Sequence, residues 1–290
     1  MGLRTRPLIA CCLLLAVALA WWPGVAAAGP QAAAPRQASD APRPFLQTLE
    51  PHKPIYVLHS WLLHGGGGEF GADDQELLIQ FSFRKAFGAH FHFAYTHKAL
   101  WQVYNEDGSR PIRENDYNPE FFLEYARLWG LDRVRFGLWE HESNGGAPAY
   151  DAEGRPINPS RTWNRVYLYM EQGVGRGLTL AAKLWAVTDQ KDSPDSSFGE
   201  DNPDIQAFLG VGELYATAKG RDGEAALMFR RGWREGTETW RLEASAPLER
   251  LFGGPPRPYR LFFQAFSGFG DSLVDYNRRV TRLSLGIAFS

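Results

Sequence analysis

The sequence predicts an all-β fold, a transmembrane antiparallel β-barrel of about twelve strands, on three observations. From Pro54 onward, apolar and polar residues alternate with period two in segments bounded by Gly, Pro, Asp or Asn, the pattern of half-apolar strands. No helical period of any length competes with it, and the aromatic fraction is 14%. The chain also opens as secreted chains do. Arg4 and Arg6 precede an apolar core, Leu8 to Ala20, and Ala26-Ala27-Ala28 offers a small-residue cleavage point.

Residues 1–28 therefore read as a signal peptide, too short and wrongly flanked for a spanning helix. Leu8-Ile9-Ala10-Cys11 has too few apolar residues before it for a lipoprotein site. Cys11 and Cys12, the two cysteines, would leave with the signal, so the mature chain would have no disulfide and no Cys-ligated metal. Residues 29–51, rich in Ala, Pro and Gln and without a steady period, read as a flexible lead-in.

Residues 52–290 then form one barrel domain. Leu77, Ile79, Phe81 and Phe83 alternate with Glu76, Leu78, Gln80, Ser82 and Arg84. Phe91, Phe93 and Tyr95 alternate with His92, Ala94 and Thr96. The same holds for Leu178 to Leu184, Trp240 to Ala244 and Leu283 to Phe289, and many segments approach the length that crosses a bilayer at a tilt. Apolar alternates would face lipid and polar ones fill the lumen, so a mean hydropathy of -0.34 is no objection. Trp101, Tyr104, Trp129, Trp163, Trp185, Tyr215, Trp233 and Tyr259 recur near strand ends, where interfacial girdles sit. A net charge of -2 with dispersed basic residues such as Arg127, Arg135 and Arg230 gives no nucleic-acid footprint.

The chemistry concentrates between Phe136 and Met170. His141 and Ser143, two apart on a strand, project from one face, where an imidazole can activate a serine hydroxyl. On its own such a pair is more often loop chemistry. A Gly/Pro/Asn-rich loop, Gly146 to Pro159, returns the chain to Asn164, whose amide oxygen can hold the imidazole as the third member of a triad. Asn164 shares its face with Val166, Leu168 and Met170, the lipid side, whereas Arg165, Tyr167 and Tyr169 point to the lumen. An outward site favours a neutral Asn over Asp, because a carboxylate toward hydrocarbon costs a few kcal/mol. The strand of His141 is less regular, since Trp139 shares its face but so do Gly137 and Arg135. A bulge or an interfacial Arg would explain that.

The runs His141-Glu142-Ser143-Asn144-Gly145 and Ser160-Arg161-Thr162-Trp163-Asn164-Arg165 together resemble the signature of bacterial outer-membrane phospholipase A. Arg113-Glu114, Tyr117-Asn118-Pro119, Asp201 to Ile205 and Phe266 to Asn277 extend the likeness, in order, from about Lys53 to the C-terminus. It implies a calcium-dependent enzyme of the Gram-negative outer membrane, active as a homodimer. The substrates would be membrane glycerophospholipids and lysophospholipids, hydrolysed at both acyl positions. Ser143 would be the nucleophile, His141 the base, Asn164 its orienter and the Gly145 N–H the oxyanion donor. Calcium would be held by Ser160, by the carbonyl of Gly146 (where the family usually has Arg), and by a ligand from the second protomer. At that last position the family has Ser and this sequence Arg110, with Ser109 one step earlier. The Gly146 to Pro159 loop is also longer than the family pattern. His97, on the apolar face of Phe91, Phe93 and Tyr95, aligns with a glutamine at the family's dimer contact, and is equally read as an interfacial His. His59, His64, His90 and His92 read as lumen or interface residues. Two rivals stand beside this reading: a passive porin-like or structural barrel with an unused motif, and a soluble secreted esterase on a β-sandwich.

Overall fold

The structure, a computed structural model, describes residues 48–65, 74–106, 109–145, 149–150, 156–189 and 202–289. The expected signal peptide and most of the lead-in lie outside the described residues. Among the described residues, twelve long antiparallel strands follow one another around a ring. They are β1 Ile55–His64, β2 Gln75–Phe87, β3 Phe91–Trp101, β4 Ile112–Ala126, β5 Arg133–Ser143 and β6 Thr162–Gly175. Then come β7 Leu178–Asp189, β8 Gly212–Lys219, β9 Glu224–Arg231, β10 Glu238–Pro247, β11 Tyr259–Gly268 and β12 Val280–Phe289. β12 pairs back onto β1, with Leu285 opposite His59, so the sheet closes and has no free edge. Closure excludes the β-sandwich of the soluble rival. Two short pairings lie outside the ring: Ala149–Tyr150 with Pro156–Ile157, and Glu50–Pro51 with Phe83 and Arg84 of β2. The latter places the last two residues of the expected lead-in against the barrel wall.

Period two sorts the side chains. Val57, Trp61, Leu63, Phe81, Leu180, Leu184 and Leu285 are exposed on the outer surface, whereas Ser60, Glu76, Glu114, Glu120, Glu140 and Arg282 are buried inside. A polar interior with an apolar exterior inverts a water-soluble protein and suits strands that face lipid. Three of the residues expected in the aromatic girdle depart from it. Trp163 and Trp185 are buried against each other in the lumen, and the Tyr215 hydroxyl bonds Glu213. The guanidinium of Arg165 lies 3.8 Å from the Trp163 ring centroid, so cation–π attraction holds the indole inside. Trp129, Trp233, Tyr104 and Tyr259 are exposed as a girdle requires.

The lumen is filled. Glu140 accepts from Lys183 at 2.8 Å and pairs with Arg165 at 3.2 Å, while Glu120 accepts from Tyr167 at 2.6 Å and contacts His52 at 2.7 Å. Arg113 joins Glu76 at 2.6 Å to Asp275 at 2.9 Å. An apolar cluster of Tyr56, Leu58, Leu78, Leu100, Phe262 and Ala288 occupies another part of the interior. At one rim the 269–279 loop folds inward, burying Leu273 and Tyr276 against Trp163, Trp185 and helix α1 (Ile205–Leu209), with Val274 buried beside them in sequence. Burial and a bond to the Asp204 carboxylate hold the Tyr276 phenol well above its ordinary pKa.

One irregularity positions the site. β5 pairs Phe122 with Gly137 but Phe121 with Trp139, so Leu138 is an extra residue, a β-bulge. Before it, Arg135 and Gly137 face inward. Arg135 bonds Glu124, and Gly137 lies under the Tyr167 ring, which an added Cβ would meet at 2.1 Å. After it, Glu140 and Glu142 face inward, and Trp139, His141 and Ser143 face out.

Candidate active site

The site is assembled where β5 ends beside the start of β6. His141 sits opposite Asn164, and Ser143 opposite Thr162 and Tyr117. The bulge gives His141 and Ser143 the outer face, and Asn164 reaches it by ordinary alternation with exposed Val166. Of the two explanations open for the mixed face of this strand, the bulge is the one observed.

Hydrogen bonds then form a chain. His141 Nε2 lies 2.9 Å from Ser143 Oγ, and His141 Nδ1 lies 2.9 Å from Asn164 Oδ1. A hydroxyl, an imidazole and an acceptor in series can remove the serine proton as the oxygen attacks a carbonyl carbon. The surroundings hold this chain in place. The Trp139 indole N–H donates to the same Asn164 Oδ1 at 3.1 Å, and its ring stacks on the imidazole at 5.6 Å. The Asn118 amide donates to the His141 carbonyl at 2.7 Å, tying the histidine backbone to β4.

Beyond Ser143 the backbone turns at Gly145 (φ 58°), a left-handed conformation that glycine adopts without strain. Asn144 fastens that turn to the returning strand. Its side chain donates to the Pro159 carbonyl and accepts from the Arg161 N–H, each at 2.8 Å. The Asn202 carboxamide oxygen accepts from the Thr162 N–H at 2.8 Å, so Asn202 buttresses the start of β6.

Among the residues expected to hold calcium, Ser160 is half-buried two positions before Thr162, and its N–H donates to Asn158 Oδ1 at 2.9 Å. Gly146 lies outside the described residues. Arg110 sits on the loop between β3 and β4, at the same rim, with φ 54°. Its side chain pairs with Glu106, and its carbonyl accepts from the Trp101 indole at 2.9 Å. A hydroxyl and main-chain carbonyls are neutral hard oxygens, a donor set that suits calcium. Among the described residues no group of three His, Cys, Asp or Glu is placed to hold a metal.

His97 is half-buried on the outer face, stacked on Phe81, and its Nε2 meets Asn115 Oδ1 at 3.1 Å. It therefore has a polar partner on its own barrel. His92 is buried in the lumen on Phe122, whereas His59 lies outside between Trp61 and Tyr104. Sequence reasoning missed Trp139, Asn118 and Asn144 as site residues. The position of Trp139, two before His141, was the available signal.

Known proteins share this fold and part of this sequence. Residues 45–289 match the family model for phospholipase A1. The phospholipase A1 of Escherichia coli strain K12 is 32% identical over 199 residues, which are 67% of this chain and 60% of that protein. A putative phospholipase A1 of Neisseria meningitidis serogroup B is 28% identical over 268 residues, 82% of this chain and 64% of that protein. The chain thus spans less than two thirds of the length of these curated relatives. Among solved structures, outer membrane phospholipase A from Escherichia coli superposes with TM-score 0.69 at 27% identity, covering 84% of this chain and 98% of that one. The Salmonella typhi outer membrane phospholipase, a dimer with bound calcium, gives TM-score 0.68 at 26% identity, over 84% of this chain and 92% of that one. With a model matched along nearly all of its described length, this chain belongs to the phospholipase A1 family.

Proposed function

We propose that this protein is a calcium-dependent phospholipase of the Gram-negative outer membrane that hydrolyses acyl esters of glycerophospholipids and lysophospholipids at both positions. The observation that carries the reading is His141 bonded at 2.9 Å to both Ser143 and Asn164, on the face of the barrel that meets lipid. An ester carbonyl at the headgroup boundary reaches that face laterally. Ser143 Oγ attacks it while His141 Nε2 takes the serine proton, and the imidazolium then protonates the departing alcohol oxygen. The lysophospholipid leaves, the acyl group stays on Ser143, and a water deprotonated by His141 releases the fatty acid. Asn164 Oδ1 accepts from Nδ1 throughout, and the Gly145 N–H donates to the oxyanion.

Ser160, the Gly146 carbonyl and a carbonyl at Arg110 of a second copy would hold calcium beside the reacting carbonyl. When bound, the ion supplies Lewis-acid polarisation of the ester and charge stabilisation. The Salmonella typhi relative is a dimer with calcium, which supports the same assembly here, with His97 as the candidate polar contact. The filled lumen opposes the porin-like form of the passive-barrel alternative.

Fatty-acid release from phosphatidylethanolamine in mixed micelles, with calcium and then with chelator, tests the reading. Hydrolysis that stops on chelation and returns with calcium is expected, and Ser160→Ala should shift the calcium titration upward. No release in either condition, together with single-channel conductance in a planar bilayer, would favour the passive barrel.

A further inference from the structure

Asn164 carries an ambiguity that an aspartate would not. A carboxylate presents an acceptor oxygen whichever way it turns, whereas half a turn of an amide exchanges its oxygen for its NH2. With the oxygen toward His141, the proton belongs on Nδ1, and Nε2 keeps a lone pair for the serine proton. With the NH2 toward His141, Nδ1 becomes the acceptor and the proton moves to Nε2. No base then faces Ser143. A triad histidine held in the wrong tautomer costs about 10⁴ in rate in the serine proteases.

The Trp139 indole decides between these states. Its N–H lies 3.1 Å from the same oxygen that His141 Nδ1 meets at 2.9 Å. An indole nitrogen only donates, so a turned amide would set N–H against NH2. On a lipid-facing surface little water is present to relieve that conflict. Stacking at an interplanar angle of 14° keeps the indole and imidazole in register.

We propose that Trp139 is a positioning residue for the reaction, fixing the orientation of the Asn164 amide and through it the tautomer of His141. The inference rests on the triad reading above. It assigns the bulge a second role, because strict alternation from Gly137 through Leu138 would turn the Trp139 side chain into the lumen.

Trp139→Phe in the full-length protein keeps the ring and removes the donor. Its kcat on phospholipid in mixed micelles should fall about five- to tenfold, the effect of one net hydrogen bond, with KM nearly unchanged. In an Asn164→Asp background the same substitution should change kcat by less than about twofold, because a carboxylate accepts in either orientation. Ring-¹⁵N NMR of neutral His141, assigned by its loss in His141→Gln, should show Nδ1–H in the parent and an added Nε2–H population in Trp139→Phe. Equal kcat losses in the two backgrounds, or an unchanged tautomer, would reduce Trp139 to packing and overturn the proposal. Should Asn164→Asp not fold, the NMR comparison decides alone. Ser143→Ala that remained active would instead overturn the triad reading, a separate result.

Discussion

Leu138 and Trp139 are consecutive residues on β5 that both face outward, 48% and 37% exposed. Strict alternation would send one of them into the lumen. The extra residue turns the end of the strand over, and the triad exists on the lipid side because of it. Deleting Leu138 removes the extra residue and leaves Gly137 opposite Phe122 and Trp139 opposite Phe121, so strict alternation should keep His141 and Ser143 on the outer face. Hydrolysis should stay within about tenfold of wild type in the deletion variant, and within a few-fold in Leu138→Ala, which keeps the backbone. Fatty-acid release beside heat-modifiable gel mobility, a check on barrel folding, makes the comparison. A deletion variant that folds but hydrolyses no faster than Ser143→Ala would show that the bulge shapes the site and does more than set the face it occupies.

Ser143→Ala should abolish hydrolysis and leave the barrel folded, because its side chain is on the outer face and not in the lumen network. Asn164→Ala should cost less than His141→Ala, since the base survives, poorly oriented. Turnover rates of the three variants in one detergent provide the test. Equal losses for Asn164 and His141 would mean that Asn164 does more than orient.

Arg113 joins β2 to the inward-folded loop through Glu76 and Asp275, with all three side chains buried. Arg113→Ala leaves two carboxylates without their cation and should destabilise the barrel by roughly 3 to 5 kcal/mol, the usual effect of breaking a buried pair from one side. Urea unfolding in detergent measures it. A loss below about 1 kcal/mol would show that water enters and screens the two acids.

His97→Leu should lower specific activity most on dilution and recover at high protein concentration. Polar contacts within membranes contribute about 1 kcal/mol, enough to shift a dimer equilibrium several-fold. Asn115 already meets His97 at 3.1 Å, so a second copy would share this group and not satisfy an orphan. Cross-linking and activity followed together across a dilution series supply the check. Activity that stays flat for both proteins would show that one barrel suffices.

Much of this was readable from residue order. Leu77, Ile79 and Phe81 mark an outer face because β-strand geometry is local, and the closure of β12 on β1 follows once edges must be satisfied. His141, Ser143 and Asn164 were legible as a set because two short runs carry them. The bulge was not, since Leu-Trp is an ordinary apolar pair and an extra residue leaves no mark in composition. Trp163 and Trp185 misled for a related reason. Trp near a strand end usually means an interface, and only the placement of Arg165 against both rings shows why these two turn inward. The 269–279 loop was recognisable as a motif, but its inward fold depends on Arg113 and Lys98, which lie on distant strands, as well as on Arg282 of the strand that follows it.

Ser143 is the last residue of its strand, so the proposed nucleophile lies at the height where the wall ends and the loops begin. Ester hydrolysis joins an oil-borne reactant to a water-borne one, and that height is where the two supplies overlap. Departure is affected as well. In the proposed reaction a freed acyl chain would already lie among its neighbours in the leaflet and could drift off sideways, with no need to pass through the aqueous phase. Turnover would thereby be spared the slow desorption that a long-chain product would impose on an enzyme working from solution.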